Sequence, residues 1–263
     1  MELEGKIVVV TGGADGIGAA LCRRFAQAGA AHVAAVDRNG DGAKAVAEAL
    51  GGSSYAVDVS DSAAVADMVA NVEAVHGRID LFCSNAGVGD GDPDRDFAAS
   101  SPDSVWMRAW GVNVMAHVYA ARAVLPGMIA RGGGYLLNTV SAAGLLSQIG
   151  GAVYSTTKHA AVGLAESLAI THGDQGIKVL ILCPQGVDTA MLRAGGSGSP
   201  QSLDGVLTPE QVAESVVEGL AAEHFLILPH PEVVTYMQRK TADYDRWLGG
   251  MRRLRAKVMA PRG

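Results

Sequence analysis

The chain has 263 residues, 49% of them hydrophobic and 18% charged, so it carries ample apolar side chain to bury a core and is not a disordered protein. A formal net charge of −6 excludes a general attraction for nucleic acid or for an anionic membrane surface, and points to a small-molecule partner. Cys22, Cys83 and Cys183 form no C-x-x-C pair, so neither a metal ligand set nor a disulfide framework is expected.

Ile7-Val8-Val9-Val10 is a continuous apolar run, the pattern of a strand covered on both faces. Residues 18–28 follow with alanine-rich helical spacing. The alternation then repeats: a strand at Val33 to Val36, a helix over 42–50, a strand at Tyr55 to Val57, a helix over 63–76 and a strand at Leu81 to Cys83. A long helix is predicted over 105–131, a strand at Tyr135 to Leu137, a helix over 152–171 and a strand at Val179 to Leu182. The least regular stretch, 194–205, contains Gly-Gly-Ser-Gly-Ser-Pro and reads as a surface linker or a lid. Thr208 then caps a helix, with Pro209 at its first position and Gln211 completing a capping box. A final strand is expected at Phe225 to Leu228, and residues 233–258 form a helical tail whose Arg and Lys suit a solvated packing face.

Strand alternating with helix implies right-handed βαβ units. The expected fold is therefore α/β, a single-domain doubly wound parallel sheet over 1–263, of about seven strands with helices on both faces. The start, Met1-Glu2-Leu3-Glu4-Gly5-Lys6, lacks the basic and apolar parts of a signal peptide. Apolar runs elsewhere read as too short to span a membrane, and a cytoplasmic protein is expected.

Thr11-Gly12-Gly13-Ala14-Asp15-Gly16-Ile17-Gly18 follows the first strand and opens the first helix. Glycines there let the backbone turn sharply and approach a pyrophosphate, which the free N–H groups of a helix N-terminus attract. Asp37 ends the second strand, 19 residues after Gly18. A carboxylate at that place accepts both ribose hydroxyls of NAD and repels the 2′-phosphate of NADP, whereas the neighbouring Arg38 is able to pair with that phosphate. NAD is the expected cofactor, with NADP as the alternative.

Tyr154 and Lys158 stand four residues apart on one helix face. A nearby ammonium favours phenolate, which is expected to lower the tyrosine pKa towards a working range for acid/base chemistry. Ser141 sits just after the preceding strand, at the carboxyl edge of a parallel sheet, where open α/β folds bind ligands.

Together these residues resemble the short-chain dehydrogenase/reductase family, and the similarity runs from Lys6 to about Leu228. The family's T-G-x-x-x-G-x-G loop is matched by Thr11, Gly12, Gly16 and Gly18, and its N-A-G motif by Asn85-Ala86-Gly87. Its catalytic Asn, Ser, Tyr and Lys fall on Asn113, Ser141, Tyr154 and Lys158, and its adenine-touching pair on Asp58 and Val59. The resemblance implies that Tyr154 exchanges the hydroxyl proton while Ser141 holds the same oxygen. It further implies that Lys158 bonds the nicotinamide ribose and that Asn113 holds a water of the proton path. Where the family reads Pro-Gly-x-Val-x-Thr, this chain has Pro184-Gln185-Gly186-Val187-Asp188-Thr189. Pro184, Val187 and Thr189 stay in register for the nicotinamide, and Gln185 offers an amide to the substrate or to local backbone.

In this family the substrate pocket is built from the loops near 90–101, 144–151 and 188–208. Leu145, Leu146, Ile149, Val153, Met191 and Leu192 are apolar there, and Leu145 and Met191, with Ser141 and Gln185, are the expected substrate contacts. No cluster of arginine falls in those loops, so a neutral, rather hydrophobic secondary alcohol or ketone is expected. The alternatives are an NADPH-dependent ketoreductase of 3-oxoacyl thioesters and a non-catalytic protein that senses the dinucleotide. Asp90, Asp92, Asp94 and Asp96 alternate as in a calcium loop, but Ser101 stands where the bidentate glutamate belongs, so a solvated loop is expected. Trp106, Met107 and Trp110 read as packing residues with a possible view of the cavity. The resemblance also implies a homo-oligomer, tetramer or dimer, packed through the helices at 105–131 and 152–171.

Overall fold

β-branched and aliphatic runs build a seven-stranded, wholly parallel sheet in the order β3-β2-β1-β4-β5-β6-β7. The strands are β1 (Ile7–Thr11), β2 (His32–Asp37), β3 (Ser53–Ala56), β4 (Leu81–Ser84), β5 (Gly134–Thr139), β6 (Ile177–Leu182) and β7 (Leu226–Ile227). The computed structural model describes residues 1–194 and 204–259. Central strands β1 and β4 are buried along their whole length, which is why they read as unbroken apolar runs. Two apolar layers lie on the two faces: Val9, Val36, Phe82 and Ile181 on one side, and Val8, Val10, Leu81 and Leu182 on the other.

The helices are α1 (Gly16–Gln27), α2 (Gly40–Leu50), α3 (Ser62–His76), α4 (Asp103–Trp110), α5 (Ala116–Ala130), α6 (Ala152–His172), α7 (Ala190–Ala194), α8 (Pro209–Ala222), α9 (Glu232–Ala242) and α10 (Tyr244–Met259). Thr208 caps α8 with a capping box, as its sequence spacing predicts. All three cysteines are free and buried.

Several expectations are corrected. The 105–131 helix starts earlier, at Asp103, and is interrupted by a π-helical turn, Gly111–Met115, between α4 and α5. The continuous helix Asp103–Ala130 is long and apolar enough to cross a membrane by length and composition, although half of its apolar window is buried in the fold. Its α5 part packs on β4, β5 and α3, which accounts for its apolarity. The last strand is only two residues long, and the tail is two helices separated at Asp243, whose extended backbone ends α9. Met107 and Trp110 are exposed and neither pack in the core nor line the cavity. The 188–208 loop includes a short helix, α7, while 195–203 lie outside the described residues.

Candidate active site

The sheet order reverses between β1 and β4, and the loops that leave the carboxyl ends of these strands meet there. Gly12 and Gly16 both hold positive φ, +67° and +53°. Gly18 is required for a different reason: a Cβ on it would lie 1.9 Å from the Gly12 carbonyl oxygen. The loop is thus folded tightly against the start of α1, where Asp15 caps the helix by accepting from Gly16 N at 2.6 Å. Ile17 follows within the first turn of α1, and Thr189 packs over the loop, its Cγ2 3.1 Å from where a Gly16 Cβ would stand.

Asp37 is oriented towards this loop, accepting from Ala14 N at 3.2 Å and from Asn39 N at 2.9 Å. Arg38 is exposed and lies near Asp58, whose pKa is lowered chiefly by the Ser60 side chain and backbone and, more weakly, by Arg38. Val59 is buried, so it offers backbone rather than side chain to a ligand. Asn85 ties three strands together: its Nδ2 donates to Thr11 O at 3.0 Å and its Oδ1 accepts from Thr139 Oγ1 at 3.0 Å. Ala86 N donates to Thr11 Oγ1, which fixes the loop leading to Gly87. A helix N-terminus, glycines without room for Cβ and an acidic group on the next strand together fit a dinucleotide.

Asn113, Ser141, Tyr154 and Lys158 converge at the ends of β4, β5 and β6. Asn113 lies in the π-helical turn, fully buried, with Oδ1 accepting from Val88 N and Nδ2 donating to Val88 O, each at 2.9 Å. Nδ2 also reaches Thr157 Oγ1 at 3.1 Å, joining the turn to α6. A Cβ on Gly87 would stand 3.4 Å from Asn113 Oδ1 and 3.5 Å from Lys158 Nζ, so the glycine admits both groups. Ser141 adopts φ +114°, a strained conformation for a residue with a side chain, and its Oγ accepts from Ala143 N at 3.1 Å. Strain of this kind persists where surrounding hydrogen bonds over-determine a loop, here Ser141 N to Leu182 O and Ala142 N to Pro184 O.

Tyr154 and Lys158 share one face of α6, with Lys158 Nζ 5.6 Å from the centre of the phenol ring. The expected lowering of the tyrosine pKa is reversed. Burial pushes the phenol up, opposed by the neighbouring Ser141 hydroxyl. Lys158 donates to Thr139 O at 3.0 Å, and burial depresses its own pKa to about 8, so its charge is costly there. The loop at 90–96 is largely exposed, as expected, but two of its carboxylates are engaged: Asp92 Oδ1 accepts from Ala152 N at 2.9 Å, supplying a cap to α6, and Asp90 pairs with Arg108.

A cavity of about 750 Å3 opens beside these groups, with Ser141, Ala142, Ala143 and Gln185 in its wall. Leu146 and Ile149 line it too, but Leu145 does not, and its carbonyl instead accepts from Lys240. Met191 lies outside the lining, 44% exposed, with its Sδ 3.2 Å from where a Gly89 Cβ would be. Gln185 N donates to His230 Nδ1 at 3.2 Å. Ser147, Gln148 and Asp204 add to this wall, and the rest comes from the tail, chiefly Tyr236 and Arg239 of α9 and Arg246, Trp247 and Arg253 of α10. A wall without clustered arginine was the expectation from the loops, and it is overturned because the tail folds back over the site rather than lying on the solvated surface. Lys240 anchors it, donating to Leu145 O and Leu146 O at 2.8 Å each, with Nζ 5.1 Å from the centre of the Trp247 ring. In the sequence, the only hint was the spacing of Trp247, Met251 and Leu254 on one helix face.

The short chain dehydrogenase family model matches residues 6–198. A relative named 1-deoxy-11-beta-hydroxypentalenate dehydrogenase, from Streptomyces avermitilis, is 33% identical over 94% of this chain and 93% of its own. The 3beta-hydroxysteroid dehydrogenase 2 of Eggerthella lenta is 35% identical over 71% of this chain and 73% of its own. Among solved structures, a short chain dehydrogenase/reductase from Burkholderia phymatum in complex with NAD superposes with a TM-score of 0.83 at 26% identity, covering 93% of this chain and 96% of that one.

Proposed function

Because this chain belongs to the short-chain dehydrogenase family, and so is an oxidoreductase of secondary alcohol carbons, we propose that it uses NAD and that Tyr154 is its acid/base. The observation that carries this reading is the meeting of Tyr154, Ser141, Lys158 and Asn113 at one edge of the sheet, with Ser141 in the wall of the cavity.

Residues of the loop from Gly12 to Gly18, with Asp37, Asp58, Val59, Asn85, Ala86 and Gly87, would hold the dinucleotide, and Pro184, Val187 and Thr189 its nicotinamide end. The bound nicotinamide supplies the hydride acceptor in oxidation and the hydride donor in reduction. In oxidation, Ser141 Oγ holds the substrate hydroxyl by a hydrogen bond and Tyr154 Oη takes its proton. In reduction, Tyr154 Oη returns a proton to the carbonyl oxygen. Burial favours the protonated phenol, the form that donates in the reductive step. For oxidation, phenolate must be favoured by the Ser141 hydroxyl and by Lys158 in its charged form. Asn113 fixes the π-helical turn against α6 and Val88, which keeps Lys158 and Tyr154 in register.

Asp37 supports NAD over NADP, since its carboxylate is already aimed at the phosphate loop while Arg38 is exposed beside Asp58. The test is absorbance at the reduced-nicotinamide band, with NAD or NADP and a panel of secondary alcohols and ketones. NAD-linked turnover is expected. Turnover with NADP alone would remove the cofactor assignment, and none with either, despite measurable NAD binding, would favour a dinucleotide sensor.

A further inference from the structure

Arg239, Arg246 and Arg253 line the same cavity as Ser141. Arg246, Gly250 and Arg253 are spaced four and three residues apart on α10, and Trp247, Met251 and Leu254 repeat that spacing beside them. One face of α10 therefore contributes two arginines and an apolar stripe to the cavity wall, and α9 adds a third arginine, all three of them solvent-exposed residues at its rim. Gly250 leaves space between the two: the nearest atom to a Cβ there would be an Arg253 guanidinium nitrogen at 3.9 Å. Among the described residues none of these three arginines is in an ion pair, whereas Arg108, Arg193 and Arg255 are paired with Asp90, Asp188 and Asp96. Residues 195–203 contain no acidic side chain.

Asp204 is the one carboxylate in the cavity wall among the described residues, and it accepts from Tyr236 Oη at 2.8 Å. Three arginines against one aspartate leave the wall with an excess of two positive charges, beside an apolar stretch of Leu146, Ile149, Trp247, Met251 and Leu254 and the uncharged polar groups of Ser147, Gln148, Gln185 and Tyr236. Guanidinium forks match the planar geometry of a carboxylate, and the nearby Asp204 disfavours a dianion such as phosphate. The volume, about 750 Å3, is that of a site for a ligand of several fused rings.

We propose that the substrate is an apolar, ring-built hydroxy or keto acid, with its carbinol or ketone carbon at Ser141 and Tyr154 and its carboxylate held by Arg239, Arg246 and Arg253. The assignment rests on the dehydrogenase reading for the first of these contacts only. Calorimetric titration of the NADH-loaded protein with bicyclic, tricyclic and steroidal hydroxy acids, each against its methyl ester, tests it. At least one acid binds about tenfold more tightly than its ester, and added salt erodes the difference. In Arg246→Gln/Arg253→Gln, and separately in Arg239→Gln, the acid loses most of that preference while the ester binds as before, which also reports an intact cavity. Where the acid is turned over, the loss falls on KM rather than kcat. An acid bound no better than its ester on every skeleton, no acid bound at all, or a preference that survives the arginine variants overturns the proposal. Acid binding through the arginines without turnover would keep the carboxylate subsite but overturn the placement of the carbinol carbon at Ser141 and Tyr154, and with it the acid as substrate.

Discussion

The cofactor half of the site and the substrate half are built by different means. Around the dinucleotide site, most groups lie within a few residues of a strand end, and local backbone requirements dictate them. Gly12 and Gly16 need positive φ, and Gly18 has no room for a Cβ. Across the cavity, the lining comes from α9 and α10, more than ninety residues beyond Ser141 in the chain, held down by Lys240 on two carbonyls. A motif is visible where the backbone itself must adopt a rare conformation. A wall assembled by packing leaves only periodicity in the sequence, which solvated helices share.

Substitutions that separate the halves test that contrast. The largest effect is expected at their junction. Tyr154→Phe should lower kcat by roughly 10²- to 10⁴-fold while the Kd for NAD stays within about twofold, because only the proton-transfer group is lost. Substantial residual turnover would reject Tyr154 as the acid/base.

Asp37→Ala should act on the cofactor half alone. Loss of charge-assisted hydrogen bonds to the ribose, worth about 1.5–3 kcal/mol, predicts a Kd for NAD raised by roughly ten- to a hundredfold, with a much smaller change for NADP. Equal losses for both cofactors would show that Asp37 merely positions the loop through Ala14 N and Asn39 N.

Lys158 also predicts a pH signature. Its folded pKa is about 8 against an ordinary 10.5, so the folded state bears the cost of a buried charge fully below about pH 8. That cost falls as pH rises through the interval and vanishes above 10.5. Lys158→Met should therefore be inactive yet more stable than the parent chain by about 1–3 kcal/mol near pH 7, an advantage that shrinks towards pH 10 in thermal unfolding. A destabilised variant would mean that the bond to the Thr139 carbonyl outweighs burial.

The smallest effect is assigned to the substrate half. Lys240→Met loosens the tail from Leu145 and Leu146, and the substrate KM should rise by roughly three- to tenfold with the NAD KM unchanged. A matching change in the NAD KM, read from the same steady-state assay, would show that the two halves are not independent.

Much of the site was legible before the fold was known, for identifiable reasons. Alternating apolar runs and helical segments determined a parallel sheet, since strands covered on both faces carry no polar alternation. Asp37, Tyr154 and Lys158 could be placed because a strand end and a four-residue helical spacing locate side chains relative to their neighbours. Asn113 was visible only through the family motif. Its π-helical turn depends on Val88 and Thr157, which lie 25 and 44 residues away in the chain.

By itself, then, the sequence determined the element order, the phosphate loop and the pairing of Tyr154 with Lys158, all of which follow from short-range geometry. Only the tertiary structure decided that burial raises the Tyr154 pKa, that Asp92 caps α6, and that three arginines of the tail line the cavity beside Ser141. Desolvation and the docking of distant helices depend on which surfaces meet, and no local pattern of residues encodes that.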